Sequence, residues 1–279
     1  TERLTYKPQG PLNNTPYTIT AHHNSIWVVS GGRWASQNKE PGCVMQYDGT
    51  KWVNLPTDSI VPQNTGPVLD FMNVAVDPHN ENHFFVTSYG TGLYEFEDGR
   101  LKHRYLAGED TPLSSGTNNP TNYTRLDCAH YDSLGNLWLV NASMVPYQLV
   151  CKTANGEWHG LPLRVREEQV YAYTPGGLII DSHHPNQKWM STARYNTGLF
   201  LLNDNGTPFD PSDDRAVGRN EWHTADGKTF KAENLFCIMQ DSQGRIWAGT
   251  DKGIVIIDNI DYFQSDLCLR PTLEDNNGE

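Results

Sequence analysis

An acidic stretch between residues 203 and 215 carries side chains that could bind a cation. It contains Asp204, Asn205, Asp210, Asp213 and Asp214 within a turn-rich sequence. Hard cations such as Ca²⁺ prefer several oxygen ligands on a loop of this kind. The spacing is not that of an EF-hand, because no Glu closes the loop at its twelfth position. The stretch predicts either a Ca²⁺ site formed by Asp204, Asp210, Asp213 and Asp214 or an acidic, solvated insertion.

Two histidine pairs, His22-His23 and His183-His184, raise the question of a metal site. Adjacent residues of a β-strand point to opposite faces, so a pair is not expected to share one ion. No GxSxG motif places a catalytic serine, and no two carboxylates are placed by sequence as the acid and base of a glycosidase. We therefore expect no catalytic residues and no cofactor apart from the Ca²⁺ alternative. A hydrolase of the glycosidase or sialidase kind is the enzymatic alternative.

Arginine and aromatic residues recur where connections between strands are expected. Planar rings stack on sugar or peptide surfaces at small entropic cost, and Arg forms forked hydrogen bonds with carboxylate or phosphate groups. These residues predict a surface for a ligand or a protein partner. The alternative is that several of the rings only fold over the ends of the strands. The candidate binding residues are Arg33, Trp34, Tyr89, Tyr147, Arg194 and Tyr195.

The composition excludes several classes of protein. The 279 residues carry a net charge of −12, which disfavours a general nucleic-acid binder with its basic face. No apolar run approaches the roughly 18 to 20 residues that a membrane helix needs. The chain begins at Thr1 rather than Met, so we expect a segment of a longer protein. None of the five cysteines forms a CxxC motif, and Cys128 and Cys237, in apolar runs, are expected to be buried thiols.

The elements that position these residues follow from an internal repeat. The segments at 129–141, 177–192 and 237–257 each have an apolar run, Asp-Ser, a short turn and then an aromatic strand. Weaker copies lie at 19–32 and 74–88. One large ring per repeat is expected to pack one sheet against the next, and the Asp before the turn is expected to cap backbone N–H groups. The repeated aromatic positions are Trp27, Phe85, Trp138, Trp189 and Trp247.

Each repeat reads as four strands, A to D. The A–B and C–D turns would lie at one end of the sheet, here called the turn face, and the B–C and D–A connections at the other, the loop face. The candidate binding residues fall on B–C connections and therefore on the loop face. Pairs such as Asp98-Gly99 and Asn205-Gly206 favour tight C–D hairpins, because both central residues need positive φ.

We predict an all-β protein, a β-propeller of about five four-stranded blades within residues 1–264. The N-terminal strand at 3–8 is expected to close the ring by completing the last blade, since a closed ring has no exposed sheet edges. Residues 265–279 are polar and are expected to form a tail or linker. The predicted repeat units are 15–57, 70–106, 123–163, 170–224 and 234–264.

The segment QDSQGRIWAGTDKGIVI at 240–256 resembles the two-component regulator propeller repeat. Longer segments at 10–33, 77–101 and 203–215 are similar to the propeller region of PorZ-type proteins of the type IX secretion system. The resemblance implies a propeller outside the cytoplasm, in the periplasm or at the cell surface. It implies a non-catalytic binding or scaffold role with protein partners of a secretion complex or a surface glycan. The alternative is the ligand-sensing ectodomain of a hybrid two-component regulator, which carries similar repeats.

Overall fold

The described part of the chain consists mainly of antiparallel β-strands, which are grouped there into five successive four-stranded units. A computed structural model describes residues 9–33, 39–56, 66–165, 168–171, 173–193, 197–223, 227, 229–258 and 270–271. Unit 1 contains β1 (Thr18–His22), β2 (Ser25–Ser30), β3 (Cys43–Tyr47) and β4 (Trp52–Pro56). Unit 2 contains β5 (Phe71–Asp77), β6 (Asn80–Gly90), β7 (Gly92–Glu97) and β8 (Arg100–Tyr105). Unit 3 contains β9 (Thr124–Tyr131), β10 (Leu137–Asn141), β11 (Leu149–Lys152) and β12 (Trp158–Leu161).

Unit 4 contains β15 (Thr174–Ile180), β16 (Gln187–Ala193), β17 (Gly198–Asn203) and β18 (Arg215–Arg219). Unit 5 contains β21 (Leu235–Gln240), β22 (Ile246–Thr250), β23 (Gly253–Ile257) and β24 (Arg270–Pro271). Short elements lie between units: helix α1 (Pro120–Tyr123), the hairpin β13 (Arg164–Val165) and β14 (Glu168–Gln169), and the hairpin β19 (Glu221–His223) and β20 (Thr229–Lys231). Strands within a unit pair in sequence order, as in a propeller blade.

The turns that join the strands follow from local sequence. Asp98 and Gly99 connect β7 to β8 and have φ values of 51° and 73°. Both lie in the left-handed region that a two-residue hairpin of this type requires. Asn205 and Gly206, after β17, have φ values of 52° and 84°. The predicted tight C–D hairpin is confirmed at Asp98-Gly99. It is wrong at Asn205-Gly206, because β18 begins only at Arg215, which pairs with Asn203 across a longer connection.

The repeated Asp and Trp form one hydrogen-bonded motif in units 3 and 5. In unit 3, Oδ1 of Asp132 accepts from the backbone N–H groups of Leu134 and Asn136, both at 2.9 Å. Its Oδ2 accepts from Trp138 Nε1 at 2.9 Å. In unit 5, Asp241 caps its turn in the same way and accepts from Trp247 Nε1 at 2.8 Å. The capping role expected of Asp is confirmed, and the indole bond is an addition to it.

The aromatic series packs each unit against the next. The side chains of Trp27, Phe85, Trp138 and Trp189 are at most 3% exposed. They belong to apolar clusters shared between units 1 and 2, 2 and 3, 3 and 4, and 4 and 5 respectively. The predicted packing role of these rings is confirmed. The first strands of successive units also lie side by side, which is the inner layer of a propeller.

The two end units keep apolar surface uncovered in the described part of the chain. On β21 and β23 of unit 5, Met239 and Ile254 are 59% and 45% exposed, on the sheet face that carries Trp247. On unit 1, Ile19 and Ile26 are 64% and 40% exposed, on the face opposite Trp27. Cys237 is exposed for the same reason, so the expectation that it is buried is wrong, whereas Cys128 is buried.

The last unit takes its fourth strand from the C-terminal region. Pro271 pairs with Val255, and Arg270 pairs with Ile256 on β23. The strand at 3–8, predicted to complete this unit, lies outside the described residues. Residues 265–279 are predicted to be a tail or linker, but positions 270–271 pair with β23. The sequence around positions 270–271 has no alternating pattern that would predict a strand. Two paired residues are nevertheless enough to occupy some of the free N–H and C=O groups at the edge of β23.

Candidate binding site

Arg33 forms a buried tie between three units near the loop face. Its guanidinium lies 2.6 Å from the carboxylate of Asp127 on β9, and the two side chains are only 10% and 6% exposed. Its Nε donates to the Tyr17 hydroxyl at 2.7 Å, and its Nη1 donates to the carbonyl of Pro175 at 2.5 Å. Units 1, 3 and 4 therefore meet at one guanidinium. Arg33 as a ligand contact remains a prediction, but its donors already have these partners.

The electrostatics of this tie follow from its burial. Burial raises the pKa of Asp127, and the charge of Arg33 opposes that shift. Burial also raises the pKa of Tyr17, so its phenol stays protonated and accepts the Arg33 bond through its oxygen. A buried charge pair of this kind is balanced only when both partners are present. The tie is therefore suited to holding units together.

A second arginine lies beside this tie between two tyrosine rings. The guanidinium carbon of Arg125 is 3.8 Å from the ring centroid of Tyr123 and 4.8 Å from that of Tyr89. The Tyr89 hydroxyl donates to the carbonyl of Tyr173 at 2.7 Å, which fixes its ring between units 2 and 4. The Arg125 Nε is buried and has no hydrogen-bond partner among the described residues. A guanidinium stacked in this way can donate a forked pair of bonds to a carboxylate or phosphate.

Tyr147 lies in a groove on the loop face of unit 3. The groove has a volume of about 680 Å³ and is formed by the connection before α1 and the connection between β10 and β11. Tyr147 is 37% exposed, and its neighbour Met144 is 60% exposed. The groove is uncharged, and prolines and small hydroxyl side chains surround the ring. Its lining includes Thr111, Pro112, Ser114, Ser115, Thr117 and Pro146.

The Tyr147 ring is held in place by a close approach to β12. A Cβ atom at Gly160 would lie 2.6 Å from this ring, so only glycine leaves room for it. One edge of the ring therefore packs over the end of the sheet while the rest faces the groove. Part of the Tyr147 ring therefore folds over the end of a strand, as the alternative to a binding role predicts, and the rest of the ring is open to the groove. Of the six predicted binding residues, Trp34, Arg194 and Tyr195 lie outside the described residues.

The acidic loop of unit 4 uses most of its carboxylates internally. Asp204 forms a buried ion pair with Lys188 and accepts from the Gly206 N–H at 3.0 Å. Asp213 accepts from the Thr207 hydroxyl, with its two oxygens at 2.8 and 2.9 Å. Asp210 accepts from the Ser212 N–H at 3.0 Å. These bonds order the loop, and Lys188 supplies a positive charge within it.

Asp214 differs from the other carboxylates of this loop. Its two oxygens are buried and have no hydrogen-bond partner among the described residues. Burial, followed by the charges of Asp204 and Asp213, raises its pKa to about 6. Ca²⁺ binding by Asp204, Asp210, Asp213 and Asp214 stays a prediction. One group of three possible metal ligands occurs among the described residues, and it lies elsewhere. It consists of His22, His23 and Glu81, whose ligand atoms lie within 4.8 Å of one another.

Sequence reasoning missed Asp127, Arg125 and Tyr17. Asp127 and Arg125 lie in TRLDCAHY, the apolar first strand of unit 3. Two opposite charges inside a strand expected to be buried were the available signal, because buried charges are normally paired. Apart from Tyr123, which stacks on Arg125 from two positions away, their partners lie in other units, at sequence separations that no local pattern reveals.

Known proteins share the repeat and the fold described above. Residues 229–252 match the two-component regulator propeller family. This segment is therefore similar to one repeat of that family, within a chain that has the β-propeller fold. No curated protein sequence matches it significantly. In the part of the chain that the structure describes, no helix is long and apolar enough to span a membrane.

Among solved structures, the fold is similar to PorZ, an essential bacterial surface component of the type IX secretion system of Porphyromonas gingivalis. The two share 24% identity and a TM-score of 0.80, over 96% of this chain and 36% of PorZ. The extracellular domain assigned to the hybrid two-component system BT3049 of Bacteroides thetaiotaomicron shares 16% identity and a TM-score of 0.57, over 91% of this chain and 30% of that one. This chain thus spans about a third of the length of either structure.

Proposed function

We propose that this chain is a non-catalytic binding propeller that acts outside the cytoplasm, as a scaffold in type IX secretion and surface attachment. It holds a protein partner or a surface glycan on its loop face. The likeness to PorZ over nearly the whole chain supports this assignment. The observation that carries the choice of face is Arg125, whose buried Nε has no partner among the described residues and whose guanidinium stacks between Tyr89 and Tyr123.

The loop face offers two kinds of contact close together. Arg125 can donate hydrogen bonds to an anionic group, and the Tyr147 groove offers an exposed ring among uncharged polar groups. Gly116, in the connection that lines the groove, lies against the ring of Tyr123, so the two features share one segment. The net charge of −12 repels an anionic ligand at long range, so local arginines must supply the attraction.

A non-catalytic role agrees with how the carboxylates of the repeat are used. Asp132 and Asp241 direct both oxygens to turn N–H groups and to an indole. They are structural, and neither is left to act as an acid or a base. The hydrolase alternative would need carboxylates that are free to face a substrate.

The test replaces the chromosomal gene with variants in the bacterium that produces the protein. Arg125→Ala and Tyr147→Ala should each reduce the amount of surface-attached cargo while the level of the protein itself is unchanged. Leu134→Ala is the matched control, because Leu134 is 73% exposed at the opposite end of β10, on the turn face. Normal cargo attachment in a deletion strain would overturn the secretion role.

The sensor alternative is favoured by the matched repeat at 229–252 and by the likeness to the BT3049 extracellular domain. In that case, the same loop face would bind a ligand that controls transcription. Arg125→Ala would then leave cargo attachment intact and abolish a ligand-induced transcriptional response. A reporter assay run beside the cargo assay separates the two functions.

A further inference from the structure

The turn face carries a cluster of three metal-ligating side chains at the junction of units 1 and 2. His22 is the last residue of β1, and His23 follows it in the two-residue turn to β2. Glu81 lies at the start of β6, just after the corresponding turn of unit 2. One ligand atom from each of the three lies within 4.8 Å of the others. Two neighbouring units therefore contribute to one cluster.

Backbone geometry explains why the two histidines share one side. His23 has a φ of 48°, in the left-handed region, so the chain has already left the strand when it reaches this residue. The alternation that separates neighbouring strand residues no longer applies there. The two imidazole centroids are 4.2 Å apart with a tilt of 55°. Adjacency in the sequence therefore does not by itself keep these two imidazoles apart.

The donor atoms are poised but incompletely used. His23 Nδ1 lies 2.7 Å from Glu81 Oε1, and these side chains are 61% and 56% exposed. The Nε2 of His22 is buried and has no hydrogen-bond partner among the described residues. Two imidazoles and one carboxylate form a donor set that suits Zn²⁺, with solvent able to fill a fourth position.

We propose that His22, His23 and Glu81 bind one Zn²⁺ ion that links units 1 and 2 at the turn face. On binding, the ion replaces the contact between His23 and Glu81 with two metal–ligand bonds. His22 supplies the third protein ligand from its imidazole. The ion thereby joins two sheets that otherwise meet mainly through apolar packing. The site lies at the opposite end of the sheets from the loop face.

The chain contains a matched control for this site. His183 and His184 form the other histidine pair, at the equivalent turn of unit 4. Their backbone N–H groups are bound by Asp181 at 2.8 and 3.0 Å. His183 faces Gly244 of unit 5, and no carboxylate there plays the part of Glu81 within the described residues. His184 Nδ1 lies 3.6 Å from the Asp181 carboxylate, which belongs to the same unit. The pair therefore tests whether adjacent histidines are sufficient without a carboxylate from the neighbouring unit.

The experiment is isothermal titration calorimetry of the untagged 279-residue chain with ZnCl₂, in a buffer without phosphate or chelator and with a reductant that does not bind zinc. The wild type should bind one equivalent. His23→Asn should weaken binding at least tenfold, because Asn keeps the left-handed backbone and removes the imidazole. Glu81→Gln should have a similar effect. The double variant His183→Ala/His184→Ala should bind as the wild type does.

A thermal melt provides a second measurement on the same samples. Excess Zn²⁺ should raise the Tm of the wild type and of the His183/His184 double variant, but not that of His23→Asn. No binding by the wild type at 100 μM Zn²⁺ would overturn the proposal. Equal loss of binding in the control double variant would also overturn it, as would unchanged binding by both His23→Asn and Glu81→Gln.

Discussion

The carboxylate of Asp132 caps a backbone turn in unit 3 and also accepts a hydrogen bond from a buried indole. One oxygen ends the backbone turn, and the other accepts the indole N–H of Trp138, whose side chain is fully buried. Unit 1 shows the contrast. Ala21 stands six residues before Trp27, and the buried Nε1 of Trp27 has no partner among the described residues. The Asp therefore satisfies a donor that burial of the ring would otherwise leave unpaired.

The first prediction concerns this coupling. Asp132→Ala should lower the free energy of unfolding by about 2 to 3 kcal/mol, because a turn cap and the partner of a buried N–H are both lost. In a Trp138→Phe background, the same change should cost about 1 kcal/mol less, since Phe has no N–H to leave unpaired. Urea denaturation of the wild type, the two single variants and the double variant gives the coupling free energy between Asp132 and Trp138. Strictly additive losses would mean that the indole bond has no net value.

The buried carboxylate of Glu95 lies within a network of unit 2. It accepts from the Tyr105 hydroxyl at 2.6 Å and lies 2.9 Å from His83 Nε2, and His83 Nδ1 lies 2.9 Å from Asp77. Burial would raise the pKa of Glu95, but the bonds from His83 and Tyr105 and the charge of Lys102 outweigh it and hold the pKa at about 2. The bond to Glu95 raises the pKa of His83.

The second prediction is the pH dependence that follows. Because the pKa of Glu95 is lowered on folding, its contribution is present above its unfolded pKa and is lost as the pH falls from about 4.5 to 2. The contribution of His83 is present below about 6.5 and is lost as the pH rises through its raised pKa. Glu95→Gln should therefore lower the free energy of unfolding most near pH 5 to 6, on the order of 2 kcal/mol, and by less toward pH 2.

Urea denaturation between pH 2 and 8 measures this profile. Glu97→Gln is the control, because Glu97 lies on the same strand but is 43% exposed and contacts only Lys102 among the charged groups described. It should lower the unfolding free energy by less than about 0.5 kcal/mol at every pH. A profile for Glu95→Gln as flat as that of Glu97→Gln would contradict the network.

At the scale of elements, the units are held together by more than contact between neighbouring sheets. Arg33 reaches from the connection after β2 to Asp127 on β9 and to Pro175 on β15. Tyr89 reaches from β6 to Tyr173, just before β15. The ends of units 1 to 4 are thus joined across the loop face, which positions Arg125 and the groove on a rigid base.

The third prediction removes this tie. Arg33→Ala should lower the unfolding free energy by about 3 to 5 kcal/mol, because Asp127 is left as a buried carboxylate without its cation. Arg33→Met with Asp127→Leu should recover much of that loss, because no buried charge remains. Arg100→Ala, at an exposed position on β8, should change little. Equal stability of the Arg33 and Arg100 variants in calorimetry would show that the pair is not needed.

At the scale of the whole molecule, the repeat allowed most of the architecture to be predicted. One aromatic ring in each repeat, and an Asp before the turn in units 2 to 5, mark strands that pack or pair locally, so their signal is present in the local sequence. The fourth strand of unit 5 and the partners of Arg33 could not be predicted, since they depend on pairings between distant segments. Arg33 was expected at the surface because it lies in a connection between strands. It is buried because the five units curve and bring Asp127 and Pro175 against it.

The fourth prediction concerns the uncovered faces of units 1 and 5. Apolar sheet faces of this kind are expected to pair with one another when molecules meet. The isolated 279-residue chain should therefore self-associate with rising concentration in sedimentation velocity. Met239→Lys, at a 59% exposed position on the unit 5 face, should shift the chain toward monomer. Met144→Lys, at a 60% exposed position on a loop, is the matched control and should not. A monomer at all concentrations would refute this role of the end faces.

The tie at Arg33 also bears on the order in which the protein can acquire its structure during synthesis. Residue 33 leaves the ribosome long before residue 127, and its bond to residue 175 spans 142 positions. Until the later segments emerge, unit 1 carries a guanidinium that must stay hydrated, so its loop end cannot adopt its final packing. Closing so long a segment is entropically costly and slow compared with forming a hairpin. Unit 1, although it is made before units 2 to 5, is therefore among the last of the five to be finished.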